Sequence, residues 1–161
     1  MKAVVVYYSL EGNTELIANL IAKKVEADII KLQPEKEIAK EGFKKFLWGG
    51  KSVIFKEKPK LKNGRIELDQ YDTIIIGTPI WASSFTPPID TFLSENKIVN
   101  KNIFLFACNA GGGTAKCFAK LTDRLKGNSI KGTADFIDPS KMDLQQVKKK
   151  VQDFCETIKP V

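Results

Sequence analysis

The sequence predicts an α/β fold built on a parallel sheet, and three observations carry that expectation. Short apolar runs alternate with amphipathic stretches along the chain. Two of those runs, at 72–77 and 102–107, are almost continuously apolar, as strands covered on both faces must be. Three unusual loops each follow an expected strand, on the edge where an open parallel sheet receives its ligands.

The elements follow in order. Lys2 to Tyr8 reads as the first strand, and Asn13 to Val25 as a helix whose apolar side is Leu16, Ile17, Leu20, Ile21 and Val25. Asp28 to Leu32 is a short strand. The runs from Asp72 to Gly77 and from Asn102 to Ala107 form the sheet centre, whereas Ser129 to Phe136, broken by Gly132, reads as an edge strand. Helices are expected over Pro87 to Ser94, with proline in its first turn, over Thr114 to Leu125, and over Asp143 to Ile158. In the last of these, Leu144, Val147, Val151, Phe154 and Ile158 recur at helical spacing and form a buried stripe. The stretch at about 34–63 is irregular, with a short helix expected around Glu37 to Trp48. It is also basic, with nine lysines against four acids from Glu35 to Lys62. Trp48 is expected to pack this insertion onto the domain.

With 161 residues, 43% of them hydrophobic, the whole of 1–161 is expected to form one domain. No apolar run approaches the roughly 20 residues of a membrane helix, and the N-terminus lacks the pattern of a secretory signal, so a cytoplasmic protein without membrane attachment is expected. The absence of histidine removes Ser-His-Asp and Cys-His hydrolases. Cys108, Cys117 and Cys155 are widely spaced; they form neither a zinc pattern nor a fully paired disulfide set and read as small buried hydrophobes. The formal charge of +7 is spread over lysines without arginine-rich or aromatic-interleaved motifs, so no nucleic-acid partner is expected.

The first of the three loops, Ser9-Leu10-Glu11-Gly12-Asn13-Thr14, resembles an anion cradle that holds no cation. Hydroxyls, an amide and backbone N–H groups meet at a helix start, where partial positive charge accumulates, so a dianion can bind without lysine or arginine. An ordinary capped strand-to-helix turn would use the same residue types. The second loop, Gly77-Thr78-Pro79-Ile80-Trp81-Ala82-Ser83-Ser84-Phe85, places a tryptophan among small residues, where its flat face could stack on an aromatic ligand. The third, Cys108-Asn109-Ala110-Gly111-Gly112-Gly113-Thr114, has three glycines that permit close approach of backbone to a ligand. Neither G-x-x-x-x-G-K-[ST] nor G-x-G-x-x-G follows the first strand, which disfavours a nucleoside triphosphatase and a dinucleotide-type domain.

Val5-Val6-Tyr7, Ser9, Gly12, Thr14, Ala18 and Ile21 fall at the spacing of the flavodoxin FMN-phosphate signature. The chain resembles a flavodoxin over essentially its whole length. The resemblance implies a flavodoxin-like three-layer α/β/α fold with a five-stranded parallel sheet in the order 2-1-3-4-5. It further implies FMN as the cofactor, with Ser9, Leu10, Glu11, Gly12, Asn13 and Thr14 around its phosphate. Thr78, Pro79, Ile80, Trp81 and Ala82, together with Asn109, Ala110, Gly111, Gly112 and Gly113, would embrace its ring. Familiar short-chain flavodoxins follow the aromatic position of the second loop with Gly-Asp and are acidic. In that family a flip of the glycine peptide there stabilises the neutral semiquinone; Ala82-Ser83 in this chain implies two-electron reduction with little semiquinone, and its basic charge implies a different redox partner. The expected role is electron transfer through non-covalently bound FMN, to a partner protein or a small-molecule acceptor. The alternative is an NAD(P)H-dependent FMN reductase acting on quinones or similar acceptors, and a flavin-free interaction module on the same fold is a third class.

Overall fold

The computed structural model describes residues 1–37 and 58–158. Its element order is β1 (Ala3–Tyr7), α1 (Asn13–Val25), β2 (Asp28–Lys31), β3 (Thr73–Pro79), α2 (Pro87–Glu95), β4 (Asn102–Asn109), α3 (Thr114–Arg124), β5 (Ser129–Ile137), a 3-10 turn (Pro139–Lys141) and α4 (Leu144–Ile158). The five strands form one parallel sheet in the order β2-β1-β3-β4-β5. Trp48 and all but the first residue of the helix expected over 37–48 lie outside the described residues.

Alternation along the strands builds two cores. Val4, Val6, Ile74, Ile76, Ile103 and Leu105 face one helical layer, where Ile89 and Phe92 of α2 and Cys117 and Leu121 of α3 cover them. Val5, Ile75, Phe104 and Phe106 face the other, under Ile17 and Ile21 of α1 and Val147, Val151 and Phe154 of α4. Each such side chain removed from water contributes about 1.5–3 kcal/mol, so the continuous apolar runs are the main source of stability. Among the described residues, no helix is long and apolar enough to cross a membrane.

The boundaries depart from expectation where polar residues take structural roles. β3 and β4 run two residues further, through Pro79 and Asn109, because the ladder continues as Thr78↔Ala107 and Pro79↔Cys108. Asp143 is not the first residue of the last helix but its cap: one carboxylate oxygen accepts the N–H groups of Gln145 and Gln146 at 3.1 Å each. β5 is an edge, as the sequence predicts. Its pairing with β4 skips Lys131, and Gly132 then lies against the Phe104 ring.

The described residues on either side of 38–57 are tied together. Pro34 and Leu61 form an antiparallel bridge, with Glu35 N–H donating to Lys60 O at 2.8 Å and Lys62 N–H to Gln33 O at 2.7 Å. Asn63 extends the clasp: its amide nitrogen donates to Lys31 O at 2.9 Å and its amide oxygen accepts Gln33 N–H at 2.8 Å.

Gly77 of β3 packs directly under the Phe106 ring of β4, in the space that a Cβ would need. Gly77→Ala should therefore destabilise the protein by about 1–3 kcal/mol in urea denaturation, and adding Phe106→Leu should recover part of that loss.

Candidate functional site

The strand order reverses between β1 and β3: the chain leaves β1 toward β2 on one side and returns to β3 on the other. The loops after these two strands therefore diverge and leave a crevice at their C-terminal ends. A cleft of about 290 Å³ lies there, lined by Ser9, Leu10, Glu11, Asn13 and Thr14 from the first loop, Pro79, Ile80 and Trp81 from the second, and Cys108, Asn109 and Ala110 from the third. Asp138 and Lys141, from the turn after β5, also line it.

The first loop leads into an α1 start that keeps its donors free. Gly12 is the N-cap in the left-handed region (φ 96°), and among the described residues no side chain caps the helix. The first helical bond is Leu16 N–H to Gly12 O at 2.9 Å, so Asn13, Thr14 and Glu15 present N–H groups without intrahelical acceptors. Ser9 Oγ accepts Gly12 N–H at 3.1 Å, which closes the loop on itself. Thr14 is 1% exposed, and its hydroxyl, in a residue that lines the cleft, has no hydrogen-bond partner among the described residues. A buried, unpartnered hydroxyl is costly, and a ligand oxygen is the partner such a position lacks.

The acids beside this loop are handled differently. Glu15 turns to Lys31 of β2, whose ammonium donates to both its oxygens at 3.1 and 3.0 Å, and to Tyr7, whose hydroxyl donates at 3.1 Å. The Lys31 hydrogen bonds hold its carboxyl below the ordinary range. Tyr7 moves the other way, raised by burial and then by Glu15. Glu11 lines the cleft itself.

The second loop is a hairpin in miniature. Trp81 N–H donates to Ser84 O at 2.9 Å, and Ser84 N–H returns to Trp81 O at 3.0 Å. Between them Ala82 (φ 48°) and Ser83 (φ 59°) both take the left-handed conformation, the signature of a type I′ turn. Trp81 is only 2% exposed, packed edge-to-face on Tyr8 with ring centroids 5.9 Å apart, so it joins the cleft wall from within the core. Thr78 is fully buried and supports the loop: its hydroxyl donates to Pro79 O at 2.8 Å and accepts Thr86 N–H at 3.2 Å. The Tyr8 hydroxyl is likewise buried without a partner among the described residues, and burial together with the nearby Glu37 carboxylate raises its pKa.

Asn109 organises the third loop, its side-chain oxygen accepting the N–H groups of Gly111 and Gly112 at 2.7 and 3.0 Å. Gly113 caps α3 at φ 84°, and a Cβ there would meet the Ser83 backbone, so it seats the third loop on the second. Gly12, Thr78, Ala82, Gly111, Gly112 and Gly113 shape the loops without lining the cleft, whereas the other ten residues expected at the site line it.

Cys108, Asp138 and Lys141 line the cleft although sequence reasoning did not place them there. Burial pushes the Cys108 thiol up to about 12; the neighbouring Thr14 hydroxyl offsets part of that rise without reaching hydrogen-bond geometry. The thiol thus stays protonated at neutral pH and contributes packing. The turn at 138–141 could have been found by extending to β5 the rule that selected the other three loops.

A family model described as flavodoxin matches residues 2–157. No curated protein sequence matches the chain. Among solved structures, a provisionally assigned flavoprotein of Bacteroides uniformis superposes with a TM-score of 0.80 at 24% identity, over 94% of this chain and 97% of its own. A flavoprotein of Lactobacillus acidophilus in complex with FMN gives 0.62 at 22% identity, over 87% and 95%. Oxidised flavodoxin 2 of Bacillus cereus gives 0.63 at 18% identity, over 98% and 97%.

The Lys31–Glu15 pair should make stability pH-dependent in one direction. With the Glu15 carboxyl lowered in the folded state, its contribution is fully present above the ordinary glutamate value of about 4.3 and fades as pH falls through the lower folded value. Glu15→Gln should lose under about 1 kcal/mol at pH 7, since both partners are partly exposed, and its deficit relative to wild type should shrink in denaturation curves taken from pH 5 down to pH 3.

Proposed function

This chain belongs to the flavodoxin family, and on that premise we propose that it binds FMN non-covalently in the cleft between the β1 and β3 loops and transfers electrons through it. The observation that carries this reading is the uncapped start of α1 beside the buried, unpartnered Thr14 hydroxyl. Together they offer backbone and side-chain donors to an anion at the end of the cleft where the helix dipole is positive. The residues present fit a flavin mononucleotide: donors at one end, and a wall of Leu10, Pro79, Ile80, Trp81 and Ala110 for an apolar ring. The FMN complex of the Lactobacillus acidophilus structure supports the same assignment. Bound FMN would supply the redox chemistry, while the protein supplies anchoring, orientation and local field.

Flavin titration of wild type and Thr14→Val tests the assignment. The variant should weaken FMN by about 1–3 kcal/mol and leave riboflavin, which lacks the phosphate, nearly unchanged. Without ligand the variant should be as stable as wild type or more so, because it removes a buried hydroxyl that has no partner. Equal losses for FMN and riboflavin would contradict the assignment.

The turn after Trp81 bears on how electrons move. Flipping the Ala82–Ser83 peptide would convert type I′ to type II′, which requires glycine at the first central position, and Ala82 blocks it. Electron transfer in pairs is the reading this favours. Anaerobic titration should therefore show little long-wavelength absorbance in wild type, and more in Ala82→Gly. Prompt bleaching by NADPH would assign the protein to the reductases, and bleaching by dithionite alone to the carriers.

A further inference from the structure

The turn between β5 and α4 is held by two of the cleft's loops. Ser140 N–H donates to Asn13 Oδ1 at 3.0 Å, and Asp138 N–H donates to Asn109 O at 2.9 Å. These bonds fix a distant part of the chain against the start of α1. Asp138, at φ 39°, and Lys141 both line the cleft there.

The charge of the lining is uneven. Among the described residues, its acidic and basic side chains are Glu11, Asp138 and Lys141. Two carboxylates oppose an incoming dianion, and one cation has to offset them. Lys141 is loosely engaged: its Nζ lies 3.4 Å from Asp138 Oδ2, and its side chain is 76% exposed. An ion pair this long and open contributes little, and a lysine stem can swing its point charge to a stronger anion.

We propose that Lys141 is the phosphate-binding cation of the site and that Asp138 is its resting counter-ion: the ammonium leaves the carboxylate for the phosphate of the bound nucleotide. The inference rests on the FMN reading above and extends it to residues far from the phosphate loop in sequence. It gives the two residues opposite signs. Lys141 strengthens binding of the phosphate, and Asp138 weakens it, both by competing for the ammonium and by repelling the dianion. It also makes binding sensitive to salt, which neutral donors alone do not.

Affinities of FMN and riboflavin for wild type, Lys141→Met, Lys141→Arg and Asp138→Asn, each at low and high ionic strength, test the proposal. Lys141→Met should weaken FMN about three- to tenfold at low salt, shift its salt dependence toward tighter binding at high salt because the repulsion by Glu11 and Asp138 remains to be screened, and leave riboflavin unchanged. Lys141→Arg should retain most of the affinity. Asp138→Asn, in which asparagine tolerates the left-handed backbone, should strengthen FMN about two- to fivefold with riboflavin unchanged. A wild type that prefers FMN to riboflavin while Lys141→Met keeps the same preference and salt dependence would overturn this inference alone, as would an Asp138→Asn variant that binds FMN more weakly. A wild type with no preference for FMN would overturn the phosphate reading as well.

Discussion

Everything at the functional edge depends on β1 being paired on both sides. Val5 stands between Ile29 of β2 and Ile75 of β3, and every residue of the strand is buried. That double pairing places the strand-order reversal at β1, fixes the direction of α1, and separates the loops that bound the cleft. A one-residue slip would exchange Val4 and Val6 with Val5 across the sheet and move both apolar sets to the wrong helical layer. The register of five residues thus sets the position of a site built mostly from residues outside the strand.

From that edge, charge is managed by geometry more than by composition. The anion cradle owes its polarity to helix N–H groups, which are uncharged and need no counter-ion. Of the acids nearby, Glu15 is held by Lys31 and Tyr7, which offset the repulsion its carboxylate would exert on an anion in the loop. Among the described residues, the charged groups that line the cleft are Glu11, Asp138 and Lys141, so the field there is not set by the chain's overall charge alone.

Much of this was legible in the sequence for identifiable reasons. The central strands announce themselves because burial on both faces requires unbroken apolar runs, and Ser9 to Thr14 are recognisable because a helix start that presents N–H groups needs small, flexible and hydroxyl-bearing residues at fixed spacing. The conformation of Ala82 and Ser83 was not legible, since neither residue favours a positive φ; the bonds between Trp81 and Ser84 impose it. Nor was the burial of Trp81, which depends on partners such as Tyr8 that lie far away in the chain. Asp138 and Lys141 were missed because the bond that brings their turn to the first loop joins residues 127 positions apart, and their turn carries no motif of its own. Asn109 reads as a ligand contact by its position, yet its oxygen is already committed to Gly111 and Gly112.

The clasp formed by Gln33, Glu35, Lys60, Lys62 and Asn63 has a consequence for how this domain tolerates change. Because both ends of the intervening stretch are bonded to one another, its length is decoupled from the spacing of β2 and β3. Chain closure across such a junction grows only logarithmically, about 0.6 kcal/mol for each doubling of the loop. The junction behaves as an interchangeable socket, at which one stretch of chain can be substituted for another of different length while the sheet keeps its register.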